Sequence, residues 1–227
     1  MPIEEATFYI RKKQEDLINN NEYIIMEKTV YFRAFEEEDV DSIYQWMNDD
    51  ELKKLSVGLN KKICKDEAKE WIKARMMHNP YQAWWAICSK TTDKIIGYTY
   101  LANIHYINRS AEFGGLIIGD KDYHDGFAWI ESYLFVYEYA FERLGLNRVY
   151  GTSLIDHTQT RTMGTVMFSK REGILRQAVY KNGKYHDLSI GSLLSSEYFE
   201  HKNNGDYEFY AILKRIKQAR KEMKNGK

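Results

Sequence analysis

The sequence predicts one α/β domain of the α+β kind, with a mixed, mostly antiparallel central sheet flanked by helices and with helices added at both ends. Three observations carry this. Ala83–Cys88 and Ile95–Leu101 are apolar, β-branched or aromatic runs joined by the polar turn Thr91-Thr-Asp-Lys94, which reads as an antiparallel hairpin. A second hairpin is marked near the C-terminus by Asn182-Gly183, a turn pair suited to positive φ. Between them, the strand-like run Ala111–Ile118 passes through a polar loop into a helical stripe. That stripe is Ile130, Tyr133, Leu134, Tyr137, Ala140, Phe141 and Leu144, spaced by threes and fours.

The elements follow in order. Residues 1–27 form a charged segment with Ala6, Ile10 and Leu17 on one helical side, ended by Asn19-Asn-Asn21, and read as a packing or homodimer element. Residues 28–196 form the domain proper and 197–227 a C-terminal helical part. Val30–Ala34 is the first strand, and Glu36–Trp46 the first helix, with acidic residues in its first turn where they suit the dipole. Asp66–Met77 is a second helix, with Ala68, Trp71, Ile72 and Met76 inward. The hairpin and the Ala111–Ile118 strand come next. Gly114-Gly115 interrupts that strand and predicts a bulge, or a place where something approaches the backbone closely. The helix after the loop spans Phe127–Leu144 and closes on Gly145, and Asn147–Leu154 is the next strand. A final helix over Tyr207–Met223 carries Phe209, Ile212, Leu213 and Ile216 on one face and Lys/Arg on the other, which reads as solvated.

Composition narrows the function classes. The 227 residues balance 33 Lys+Arg against 33 Asp+Glu, so no global field points to nucleic acid or to a membrane surface. No apolar run is long enough for a membrane span. The two cysteines, Cys64 and Cys88, with no signal peptide, read as free thiols in a reducing cytoplasm. Aromatics at 15% predict a packed interior with aromatic-lined cavities.

The stretch Tyr106–Gly145 resembles motif A of the GNAT superfamily of acetyl-CoA-dependent N-acetyltransferases. In that family a loop of pattern R/Q-x-x-G-x-G/A follows a bulged strand and opens a helix. Its amides hold the coenzyme A pyrophosphate, as helix N-termini hold anions. Tyr123-His-Asp-Gly-Phe-Ala128 keeps Gly126 and Ala128 at the family offsets, with Tyr123 in place of the arginine or glutamine. The order of segments over about 30–195 is similar too, and Tyr106–Phe113 looks most like the spermidine and ribosomal-protein-alanine acetyltransferases. The family's N-x-x-A-x-x-L-Y-E-x-x-G-F segment corresponds to the stretch from His157 to Ser169. There His157 stands for the asparagine, and Gly164 for the tyrosine that protonates the leaving thiolate. That threonine-rich run is a poor helix by propensity.

The resemblance implies acetyl transfer from acetyl-CoA to a primary amine of a polyamine, amino sugar or peptide. It places the cofactor on Leu116, Ile117, Ile118, Tyr123, His124, Asp125, Gly126, Phe127, Ala128 and His157. Glu112 is the candidate general base and His105 the alternative; the acceptor would enter beside Glu36, Tyr98, Tyr100, His105 and Glu112. An ion pair with Arg33 or Arg109 is the plain structural reading of Glu112. A GNAT-like binding or assembly protein with impaired catalysis is the other reading of the whole chain.

Overall fold

A computed structural model describes residues 29–58 and 61–225; the helical expectation for 1–27 lies outside them. One seven-stranded sheet runs in the order β1-β2-β3-β4-β5-β7-β6. The strands are β1 (Val30–Arg33), β2 (Ala83–Ser89), β3 (Ile95–His105), β4 (Ser110–Ile118), β5 (Arg148–Leu154), β6 (Lys170–Lys181) and β7 (Lys184–Leu194). Every neighbouring pair is antiparallel except β4–β5. The β6–β7 turn is the expected Asn182-Gly183, both at positive φ (51° and 80°).

The helices are α1 (Val40–Asn48), α2 (Asp50–Leu55), α3 (Lys65–Met76), α4 (Phe127–Glu138), α5 (Thr158–Val166), α6 (Ser195–Asn203) and α7 (Phe209–Asn225). The acidic turn before α1 does more than suit a dipole. Asp39, 3% exposed, accepts from the Glu36 amide at 2.9 Å and from both terminal nitrogens of Arg33 at 2.7 and 2.8 Å. α2 is short and was not anticipated; Asp49 caps it by accepting from the Glu51 and Leu52 amides. The long stripe expected to run to Leu144 changes to a π-turn over Tyr139–Arg143, which keeps Ala140 and Phe141 buried. The C-terminal part is two helices, because Asn203-Asn-Gly-Asp206 breaks it, with Gly205 at φ 73°.

Core clusters line both faces of the sheet. Phe35, Ile43, Trp46, Ile72, Ala86 and Tyr98 form the one beneath α1 and α3. On the opposite face, Leu101, Ile130, Val136, Val149, Met167 and Ile212 belong to a larger cluster built with α4 and α7. Alternation along β3 explains the split, with Tyr98 on one face and Leu101 on the other, across a bulge.

Candidate active site

The site lies where the parallel pair comes apart. β4 and β5 pair only through Ser110–Glu112 and Arg148–Tyr150; beyond that point the described β4 edge has no β5 partner. Leu116, Ile117 and Ile118, whose amides are expected to meet the cofactor, lie along that edge, paired with β3 on one side and with no β5 partner on the other. Their side chains belong to the interior: Leu116 and Ile117 pack against the cores and Ile118 is 2% exposed. The bulge falls at Gly114, skipped between the Tyr100–Gly115 and Leu101–Phe113 pairs. A Cβ at Gly114 would stand 1.9 Å from the Tyr100 ring. The close approach that the paired glycines predict is therefore made by the chain's own tyrosine.

The loop after β4 is tied inward. Tyr123 donates its hydroxyl to Ser89 Oγ at 2.9 Å, and His124 Nε2 meets the Ile118 carbonyl at 2.8 Å. Both are expected on the cofactor; in the structure their side chains bond to β2 and β4. Asp125 Oδ1 accepts from the Phe127 amide at 2.9 Å, a carboxylate on the helix start that the motif reserves for phosphate. Gly126 sits at φ 101°, a left-handed conformation that glycine tolerates, and a Cβ there would meet nothing within 4 Å. The first turn of α4 carries no acidic residue. Phe127 is 1% exposed because Phe209 of α7 stacks on it, centroids 5.1 Å apart and rings within 5° of parallel.

α7 then runs on to the end of α5, where Arg215 Nε donates to the Val166 carbonyl at 3.0 Å and its guanidinium lies over Phe168. Ile212 and Leu213 enter the cluster that Phe113 and Leu116 of β4 also join. The C-terminal helix thus packs on the face of the sheet that carries α4 and α5. α5 itself forms against its propensity. His157 caps it by accepting from the Thr160 amide at 3.4 Å, and Thr162 and Thr165 return their hydroxyls to Thr158 and Arg161 carbonyls. Burial pushes the His157 imidazole below its usual pKa. Gly164 offers no side chain, and the nearest atom to a Cβ there is that of Ser169 at 3.8 Å.

Polar groups gather on the other face, at the apex of the fork. Glu112 accepts from Asn103 Nδ2 at 2.8 Å, and Asn103 holds the left-handed φ of 50° to present it. Neither expected ion pair forms: Arg33 is held by Asp39, and among the described residues Glu112 has no cationic partner within 4.0 Å. Tyr150 is the direct neighbour of Glu112 across the parallel pair. Its phenol pKa is raised by burial first and then by Glu112, against the opposing pull of Asn103 and Arg148. Arg148 donates to Glu172 at 2.6 Å and to Ser192 at 2.7 Å, and this arginine holds the Glu172 carboxyl down at about 2. His105 is committed elsewhere, its Nδ1 accepting from the Asn108 amide at 3.0 Å in the β3–β4 turn. Glu36 is exposed and lies 3.6 Å from Arg33.

The sequence singles out Glu112 but not Asn103, Tyr150, Arg148 or Glu172, the polar residues that the structure gathers near it. The parallel register could have found Tyr150; no sequence pattern announces the left-handed Asn103. Among the described residues no group of three or more His, Cys, Asp or Glu could hold a metal ion, and no helix is long and apolar enough to cross a membrane.

Residues 29–173 match the family described as Acetyltransferase (GNAT) domain. The uncharacterized N-acetyltransferase YoaA of Bacillus subtilis (strain 168) is 27% identical over 164 residues, covering 71% of this chain and 91% of that protein. Among solved structures, the spermidine N-acetyltransferase from Vibrio cholerae in complex with CoA and spermine superposes with a TM-score of 0.68. It is 24% identical, with 76% of this chain and 99% of that one covered. A GCN5-related N-acetyltransferase from Brucella melitensis gives a TM-score of 0.67 at 18% identity, covering 82% and 84%.

Proposed function

Because the chain belongs to the GNAT acetyltransferase family, we propose that it moves an acetyl group from acetyl-CoA to the primary amine of a small molecule or peptide, with Glu112 taking the amine's proton. The observation that carries this reading is a carboxylate free of ion pairs, oriented by one amide, at the apex of a forked parallel pair. Acetyl-CoA supplies the acyl group as a thioester. The unpaired edge of β4 provides amides of the kind that stabilise a developing oxyanion. Asn103 positions the Glu112 carboxylate, which draws the proton from the incoming ammonium so that a neutral nitrogen lone pair can attack. Gly164 cannot return a proton to the leaving sulfur. Tyr150, beside Glu112 and kept protonated by its surroundings, is the hydroxyl to which we assign that proton.

The fork and the open space at Gly126 suit the cofactor's arm and phosphates. At the Phe127 amide the fit requires Asp125 to release its hydrogen bond and Phe209 to shift.

Glu112→Gln tests the reading. The substitution keeps size and the Asn103 contact but cannot accept a proton, so turnover should fall about 10²–10⁴-fold while the affinity for acetyl-CoA and the melting temperature stay near wild type. Wild-type turnover in this variant would remove Glu112 from the reaction.

A further inference from the structure

On the face that carries Glu112, Arg75 is packed without an anion among the described residues. Arg75, near the end of α3, lies with its guanidinium 4.0 Å from the Trp71 ring centroid and 4.8 Å from that of Trp84. Nη1 donates to the Trp71 carbonyl at 3.0 Å; Nε is closed from solvent and has no acceptor. Among the described residues no carboxylate lies within 4.0 Å of it. A buried donor left unmet destabilises the protein unless something fills it. Arg75 and Trp84 also line a cavity of about 270 Å³ at the end of α3, with the exposed Met76 and Met77 on one wall and Trp85, Ile104 and Tyr139 on another; Tyr100 and Glu112 lie outside it.

The cage continues toward the apex of the fork. Trp84 stacks on Tyr100, centroids 3.8 Å apart and rings within 11° of parallel, and Tyr100 lies over the bulge two residues from Ala102, the partner of Glu112. Tyr100 senses both ends: burial raises its phenol pKa most, Glu112 adds to that, and Arg75 opposes it. Across β2, β3 and β4 the face therefore reads cation, two stacked rings, carboxylate, over two strand spacings of roughly 5 Å each. Such a surface matches a molecule with an amine at one end and an anion at the other. A polyamine would bring its second ammonium toward Arg75.

We propose that the acceptor carries a carboxylate about 10 Å or more from its reactive amine, and that the guanidinium of Arg75, seated between Trp71 and Trp84, binds this carboxylate. A guanidinium pairs with a planar carboxylate in a charge-assisted, directional contact, for which the arginine fork is shaped. The flanking indoles hold that fork in place, as a lysine's point charge could not be held. The proposal rests on the reading of the Glu112 face as the acceptor site.

Calorimetry on the full chain, without turnover, tests it with matched probes: 8-aminooctanoate against 1,8-diaminooctane, and the six-carbon pair beside them. 8-Aminooctanoate should bind at least about tenfold tighter than 1,8-diaminooctane, and the six-carbon pair, too short to span the two groups, should show little preference. Arg75→Met should abolish that preference while leaving the melting temperature and acetyl-CoA affinity unchanged. Arg75→Lys, which keeps the charge, should retain part of it and guards against a packing defect in the first variant. Equal or tighter binding of the diamines, a preference that survives Arg75→Met, or no binding of any probe would overturn the proposal. An acetylation assay separates it from the underlying reading. Transfer to diamines without preference leaves the acetyltransferase reading standing and sinks the carboxylate site. Arg75-dependent binding without transfer to any amine does the reverse.

Discussion

Asp125 shows how one side chain can occupy the place a motif assigns to a ligand. As a bare charge in a phosphate loop it would only repel; in the structure it also accepts from the Phe127 amide, just ahead of the Gly126 N-cap of α4. The two effects can be separated. Asp125→Asn keeps an oxygen for the amide and removes the charge, so acetyl-CoA should bind more tightly, with the gain shrinking as salt rises. The melting temperature should change little, because asparagine makes the same local turn contact as aspartate. Titration calorimetry at two ionic strengths reads this, and an unchanged Kd would mean that Asp125 never meets the phosphates. Glu112 was legible because its strand and motif were. Asn103 was not, because a left-handed residue inside a strand pattern leaves no trace in hydropathy.

Elements were legible where a periodicity ran unbroken, as in β2, β3, β4 and the β6–β7 hairpin. They were lost where a tertiary contact decided the outcome. α5 holds through its histidine cap and the burial of Val166 and Met167, which outweigh threonine and glycine propensities. α7 was read as a helix with an apolar face, but nothing in its pattern says that the face lies against Phe127 and the side of the sheet that carries α4 and α5. That placement makes a measurable claim. Phe209→Ala removes a half-buried ring from the α4–α7 contact and should cost about 2 kcal/mol of stability. It should at the same time tighten acetyl-CoA binding. A variant that is less stable and binds no better would show that α7 leaves the cofactor's path clear.

At the scale of the whole molecule, the mixed sheet and its helical layers followed from the sequence, while the line-up of polar groups across four strands did not. Arg148 on β5 ties Glu172 of β6 and Ser192 of β7 into one cluster at the closed end of the fork. Glu172, held near 2 against an ordinary 4.5, binds a proton less readily folded than unfolded. Its contribution to stability is therefore complete above the unfolded value and is lost as pH falls from about 4.5 toward 2. Glu172→Gln should lower stability at neutral pH and flatten the acid limb of the melting-temperature profile across that window. An identical acid limb in wild type and variant would remove the cluster from the acid response.

On the reading proposed above, the stacked pair Phe127–Phe209 would set a tempo as well as an affinity. A ligand bound at the start of α4 would wait for the chain's own helix to leave, however concentrated the ligand becomes. In stopped-flow mixing, the observed rate of acetyl-CoA binding should climb and then level off at the departure rate of α7. Phe209→Ala should lift that ceiling, and a rate that rises in proportion to concentration throughout would show a berth that stands open.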